Sequence, residues 1–262
     1  MNNTRPLIVI SNDDGVSANG IKTLIDVAKN HADIVAVAPD TERSGQAHSV
    51  TVINPLKARL ISDTEGVKIY SCNGTPVDSV KLGIKIFSDR TPDLVLSGIN
   101  HGSNVGNNVF YSGTMGIAIE ALFEGVPSIG FSLCNHSADA DFSETVPFID
   151  SIIKNVLSAD KLYKQFCLNV NFPYKPEGGI KGMKVCSMSE GIWKESYEER
   201  IIPTTKKPYY WITGVYEDHE PLPDTEQYAI NNGYGSIMPI SIDLTHRAVK
   251  GEVAELLKAE CL

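Results

Sequence analysis

The stretch Leu7-Ile8-Val9-Ile10-Ser11-Asn12-Asp13-Asp14-Gly15 decides the fold. Four consecutive branched apolar residues have no solvent-facing alternation, so they suit a strand covered on both faces, as in a parallel sheet. The run stops abruptly at Asn-Asp-Asp-Gly. Beyond it Ile21, Leu24, Ile25 and Ala28 recur at helical spacing, the mark of a helix that buries one face. Ile34-Val35-Ala36-Val37-Ala38 is a second buried strand, ended by Pro39. Strand, loop, helix and strand in this order form the repeating unit of a parallel sheet.

The same alternation continues along the chain. After the second strand, Val50, Val52 and Ile53, then Ala58 to Ile61, then Val67 to Tyr70 predict extended segments. Asn73-Gly74-Thr75-Pro76 is a helix start, with Thr75 as N-cap and Pro76 at the first helical position, and the helix runs over Val77–Phe87. Asp93–Ser97 predicts a strand that breaks into a Gly/Asn-rich loop over Gly98–Gly113. A helix follows with Met115, Ala118, Ile119 and Leu122 on one face. Pro127–Phe131 and Phe166–Val170 predict further strands, and Ile149, Ile152, Ile153 and Val156 a helix between them. The fold class expected is α/β, a doubly wound, mostly parallel Rossmann-like sheet with a C-terminal β-rich extension. Residues 1–173 form its core. Residues 174–262 form the β-rich extension and a closing helix over Glu252–Lys258. Both are read as one structural domain, with the extension serving oligomerisation. Met183–Val185, Tyr209–Trp211 and Ser236–Met238 are its extended pieces.

The bulk numbers narrow the function. A chain of 262 residues, 42% hydrophobic and 21% charged, is long enough for one α/β domain with a real core and has no compositional sign of disorder. The net charge of −9, with no dense basic run, disfavours binding to DNA, which depends on displacing counterions from phosphates. The five cysteines form no C-x-x-C pair, so they read as free thiols in a reducing compartment. The opening Met-Asn-Asn-Thr-Arg-Pro leads into an apolar run too short for a signal peptide, and no stretch approaches the roughly 20 apolar residues of a membrane span. The expectation is a cytoplasmic protein.

Ligands of an open parallel sheet bind at the carboxyl ends of its strands. Three of those ends are polar here: Asn12-Asp13-Asp14-Gly15, then Asp40 to Ser49 with Arg43, Ser44, Gly45 and His48, then Ser97 to Gly106 with Asn100 and Asn104. Two like charges about 4 Å apart repel by roughly 4 kcal/mol at an effective dielectric of about 20. A divalent cation turns that repulsion into attraction. Asp13, Asp14, Ser44 and Asn100 make an all-oxygen set suited to one hard ion per subunit, Mg²⁺ or Mn²⁺. Asn12, Arg43, Gly45, His48, Asn104, Ser112, Gly113 and Thr114 are the candidate phosphate contacts. Ser112-Gly113-Thr114 opens a helix whose free N–H groups attract an anion. Asp13, Asp14 and Asn100 are the candidate catalytic groups. There is no Walker A sequence, no dinucleotide fingerprint and no G-x-S-x-G elbow. Asn12 stands where an aspartyl-phosphate phosphatase would place the first Asp of its D-x-D pair, so that mechanism is the weaker alternative. The reading these residues support is a divalent-metal-dependent phosphatase of small phosphate esters, and a regulatory protein that binds its ligand without turnover is the other alternative.

Taken in order, the motifs resemble the SurE family of stationary-phase survival proteins. Those that carry the resemblance are Ser11-Asn12-Asp13-Asp14-Gly15, Ala38-Pro39-Asp40 with Arg43-Ser44-Gly45 and His48-Ser49, and Asn73-Gly74-Thr75-Pro76 with Asp78. They continue with Ser97-Gly98-Ile99-Asn100, Tyr111-Ser112-Gly113-Thr114, Pro127-Ser128-Ile129 and Leu168-Asn169-Val170-Asn171. The resemblance implies that Asp13, Asp14, Ser44 and Asn100 hold the metal. It implies a nucleotidase that releases phosphate from nucleoside 5′- or 3′-monophosphates, with activity on short polyphosphate. It also implies a homodimer or homotetramer joined through the C-terminal region. The chain departs from the family pattern at Asp224-Thr225-Glu226, where the family carries Gly-Thr-Asp, and at Asn108, where an acidic residue is common. The first bears on subunit contacts, and both bear on substrate preference.

Overall fold

The computed structural model describes residues 5–159, 165–218 and 221–261, so the opening Met1–Thr4 lies outside it. The first apolar run is β1 (Leu7–Ser11), followed by α1 (Asn19–Ala28) and β2 (Asp33–Pro39). Next come β3 (Ala58–Thr64), β4 (Val67–Cys72), α2 (Pro76–Leu82), β5 (Leu94–His101), α3 (Gly113–Phe123), β6 (Ser128–Leu133), α4 (Val146–Ser158) and β7 (Cys167–Phe172). The later elements are β8 (Met183–Val185), β9 (Ile192–Ile201), β10 (Pro208–Glu217), α5 (Glu226–Asn231), β11 (Gly235–Ile240) and α6 (Lys250–Leu257).

The main sheet runs in the order β3-β4-β2-β1-β5-β6-β7-β11-β8. Its six central strands, β4 to β7 in that order, are parallel, while β3 and β11 run antiparallel to the strands they flank. The chain moves outward from β1 to β2 and β4, then returns to lay β5 on the other side of β1. That reversal opens a crevice at the carboxyl ends of β1 and β5, where doubly wound sheets bind ligands.

Alternation along the strands sorts the core into two layers. Ile8, Ile10, Ile34, Ala36, Leu94 and Leu96 point to one face and pack with Ile21, Leu24 and Ala28 of α1 and with Ile149 and Ile153 of α4. Leu7, Val9, Val35, Val37 and Val95 point to the other and meet Val80 of α2 and Ile117 and Ala121 of α3. The branched runs are therefore buried on both faces, as their lack of polar alternation requires.

Four local expectations change. Val50–Ile53 is not a strand: Val52 is 83% and Ile53 94% exposed, and Pro55 follows, which has no N–H to donate to a ladder. The strand expected to end at Ser97 continues as β5 to His101, because after a shift in register Asn100 and His101 pair with Ser132 and Leu133. The helix expected over Val77–Phe87 is α-helical only to Leu82 and widens to a π turn over Gly83–Phe87. Helix α3 is covered on more than the one expected face: Met115 and Ala118 pack in one cluster, Ile117 and Ala121 in another.

The Thr75 start is a full capping box, in which Thr75 Oγ1 accepts from Asp78 N and the Asp78 carboxylate accepts from Thr75 N at 2.8 Å. After Pro173 the chain does two things. β11 and β8 extend the main sheet, while β9 and β10 pair only with each other as a ten-pair antiparallel hairpin. The polar sequence of β9 hid it as a strand, since every residue in it is exposed. α5 carried no clear periodic signal because it is only six residues long.

Candidate active site

Asp13 sits just past β1, and its carboxylate is 4% exposed as a residue. Two segments hold it. Thr114 Oγ1 donates to Asp13 Oδ1 at 2.6 Å, and Arg43 N–H donates to the Asp13 carbonyl at 2.7 Å. Gly113 lies against its side chain so closely that a Cβ there would stand 2.7 Å from Asp13 Cβ. The start of α3 and the loop after β2 thus meet at one carboxylate. Burial, and then the charge of Asp14, push the Asp13 carboxyl up to about 6. No Lys or Arg side chain touches it among the described residues.

Asp14 faces the β5 side of the crevice, where its Oδ2 lies 3.2 Å from His101 Nδ1. The hydrogen bond with Asp14 raises the His101 imidazole above its ordinary value, against burial, which lowers it. Asn100 Nδ2 donates to the Gly102 carbonyl at 2.8 Å, which fixes the amide and leaves its Oδ1 without a donor among the described residues. Ser44 Oγ donates to Glu42 Oε1 at 2.9 Å. Gly98 lets β5 bend into this position. Its φ is +115°, and a Cβ would stand 2.3 Å from the Phe131 carbonyl oxygen.

These groups open onto a cavity of about 620 Å³ lined by Asp13, Ser44, Gly45, Asn100, Asn104 and Ser112 on the core side. Ser112 caps α3 by accepting from Met115 N at 3.0 Å, a bond that does not use its hydroxyl proton. Asn104 is held through its backbone. Asn171 Oδ1 accepts from Asn104 N at 2.8 Å, and Asn169 Nδ2 donates to the Asn104 carbonyl at 2.7 Å. Asn169 in turn donates to Glu226 Oε1 at 2.9 Å, and Gly106 N–H donates to Glu226 Oε2 at 3.1 Å. Burial pushes Glu226 up to about 7.

Other candidates are placed elsewhere. His48 is turned away from the cavity: Nε2 lies 2.7 Å from Glu120 Oε2, and its ring stacks on Phe123. The Arg43 guanidinium lies near Asn73 and Asp40 rather than in the cavity. Thr114 and Gly113 secure Asp13 instead of lining the cavity. Asn12 Nδ2 donates to the Gly15 carbonyl at 3.0 Å, and its Oδ1 is buried with no hydrogen-bond partner among the described residues. His101, Ser103, Asn108, Tyr111 and His136 line the cavity and were missed. His136 follows β6, another carboxyl strand end, so the same rule that found the other loops could have found it.

A hard divalent cation fits what is present. A desolvated carboxylate beside a second one, with no Lys or Arg between them, is electrostatically incomplete, and the oxygens of Ser44 and Asn100 line the same cavity, with the His101 imidazole at Asp14. Among the described residues no group of three or more His, Cys, Asp or Glu is gathered to hold a metal ion, so the fit rests on two carboxylates with hydroxyl and amide oxygens.

The sheet and its switch point define the class: a Rossmann-like α/β protein with an acidic, oxygen-rich site at the carboxyl edge. The family model for survival protein SurE matches residues 8–195. The 5′-nucleotidase SurE of Christiangramia forsetii is 45% identical over 253 residues, 95% of this chain and 96% of that one. The 5′-nucleotidase SurE of Cytophaga hutchinsonii is 43% identical over 251 residues, 95% and 96% of the two chains. The crystal structure of the SurE protein from Aquifex aeolicus superposes with a TM-score of 0.80 at 35% identity, covering 96% of this chain and all of that one. The chain belongs to the SurE family.

Proposed function

We propose that this protein is a metal-dependent 5′-nucleotidase that hydrolyses nucleoside 5′-monophosphates to nucleoside and phosphate. The observation that carries the reading is the meeting of Asp13, Ser44 and Asn100 at one cavity beside Asp14, with the desolvated Asp13 lacking a cationic partner. The names of its close relatives support the substrate class.

Asp13, Asp14, Ser44 and Asn100 would hold one Mg²⁺ or Mn²⁺, which when bound supplies Lewis-acid polarisation of a phosphoryl oxygen and a more acidic water. Thr114 keeps Asp13 pointed into the site and Gly102 keeps Asn100 there, so neither must reorganise as charge develops. Asn104, whose amide also donates to Ser132 Oγ at 2.8 Å, and Ser112 line the cavity and would steady the charge of the phosphate. The reading extends to 3′-monophosphates and short polyphosphate, which present the same terminal group. It includes a cytoplasmic homodimer or homotetramer formed through the region after Pro173. The exposed Val253, Leu256 and Leu257 of α6 support that assembly.

The test is phosphate release from a panel of nucleoside 5′- and 3′-monophosphates, with EDTA and with Mg²⁺ or Mn²⁺ restored. Release that stops with EDTA and returns with metal is expected. Release indifferent to EDTA, with a phosphoenzyme trapped by acid quench, would favour the aspartyl-phosphate route. Nucleotide binding with no release under either metal would favour the regulatory reading.

A further inference from the structure

The cavity is larger than a phosphate group requires, and its far wall does not belong to the α/β core. Trp193 and Glu195 of β9 and Ile212, Thr213 and Gly214 of β10 close it. The hairpin register explains which side chains do so. Trp193 pairs with Tyr216, Glu195 with Gly214, and Tyr197 with Ile212. Paired residues two apart along a strand share a face, and four of these six, Trp193, Glu195, Ile212 and Gly214, line the cavity, with Thr213 of the other face at its border. Gly214 contributes no side chain at its centre. The Trp193–Tyr216 pair and the Tyr197–Ile212 pair stand roughly 13 Å apart along the strands, four residues at the usual rise. The hairpin therefore presents an indole on one side and an aliphatic side chain on the other, with Glu195 opposite Gly214 between them.

The indole is fixed in place. Trp193 Nε1 donates to Asn108 Oδ1 on the core, and Tyr216 meets its ring edge-on with centroids 6.5 Å apart. Both contacts leave Trp193 39% exposed, an apolar surface held open on the hairpin wall of the cavity. A flat, rigid, half-exposed indole suits stacking on another flat ring, and such stacks tolerate any base because every base has a π face.

We propose that Trp193, anchored by Asn108, is the platform on which the nucleobase of the substrate stacks, with Ile212 closing the other side of the slot. This rests on the nucleotidase reading and extends it. The core handles phosphate chemistry, and the hairpin selects for an aromatic base at the other end of the ester.

The test compares kcat/KM for AMP with kcat/KM for ribose 5-phosphate, which carries the same phosphate and sugar without a base. In Trp193→Ala the ratio of the two should fall by roughly 5- to 150-fold, the range one base-to-aromatic stack supplies. Trp193→Phe, which keeps a stacking ring without the indole N–H, should recover most of it. A ratio that stays at the wild-type value in Trp193→Ala, with both substrates weakened alike or neither weakened, overturns the proposal. If wild-type protein releases phosphate from neither ester, the nucleotidase reading fails by itself. Calorimetric affinities for the same two ligands then decide: a loss in Trp193→Ala confined to AMP sustains the platform, and equal affinities across the variants sink it.

Discussion

At Asp13 two unfavourable effects act on one carboxyl: loss of water and the neighbouring charge of Asp14. Asn at this position keeps the shape and removes the charge. Asp13→Asn should lower turnover by about 10²–10³-fold or more, the scale of losing one preorganised electrostatic group at a reacting phosphate. In EDTA the same variant should melt above the wild type, because the buried charge is gone. A thermal melt of both proteins with and without Mn²⁺ checks this, and a variant that melts lower in EDTA would mean that Asp13 is held by something other than a missing cation. His48 gives the opposite case. Its imidazole bonds Glu120 and stacks on Phe123, outside the cavity. His48→Ala should leave KM for a nucleoside monophosphate within about twofold of wild type and cost stability of about 1 kcal/mol, the worth of one such hydrogen bond. A large rise in KM would return His48 to the phosphate site.

The start of α3 does its work by contact. Gly113→Ala would drive a methyl to 2.7 Å from Asp13 Cβ, and something must shift. The expected result is a folded protein whose activity falls at least tenfold and whose demand for Mn²⁺ rises, read from a metal titration of phosphate release. Most elements of this kind were legible in the sequence. Leu7–Ile10 and Ile34–Ala38 announce buried parallel strands because no polar residue interrupts them, and Thr75-Pro76 announces a helix because both residue types suit its first turn. What stayed hidden was set by distant partners. Val50–Ile53 has the pattern of a strand and no strand to pair with. The added length of β5 comes from pairing Asn100 and His101 with β6, which local sequence does not encode. β9 is wholly exposed, so it lacks the apolar alternation by which strands are found. For the site, strand ends pointed to Asp13, Asp14, Ser44, Asn100 and Asn104 and the helix start to Ser112; the cavity is lined by all of these but Asp14, which turns to His101. The misplaced residues, His48 and Arg43, lie in the loop after β2, where position along the chain does not fix which way a side chain points. Trp193 carries no motif and was missed for that reason, whereas His136 follows the carboxyl end of β6 and could have been found by the strand-end rule.

Over the whole molecule the C-terminal third is bound to the core by a buried polar cluster. Glu226, on α5, reaches Asn169 on β7 and the backbone of Gly106 in the active loop. Burial raises its carboxyl from 4.5 to about 7. The folded state therefore binds this proton more tightly than the unfolded chain does, so stability falls as pH rises through the window from about 4.5 to 7 and is flat above it. The full effect is at most about 3 kcal/mol, at 1.36 kcal/mol per pKa unit. Urea unfolding of wild type and Glu226→Gln across that window should show the slope in the first and its loss in the second. A parallel pH dependence in both would place the titration elsewhere.

The same cluster has a consequence for how the protein is made. Asp13, Ser44, Asn100 and Asn104 all precede Glu226 along the chain, as do the central strands around them. Yet the loop that carries Asn104 receives its last fixed partner from Glu226, far downstream, and β7 is covered by β11 later still. A nascent chain can complete its inner strands and still lack the brace for its phosphate loop. Competence thus waits for Glu226, and a polypeptide released before it would have the chemical groups without the means to keep them in register.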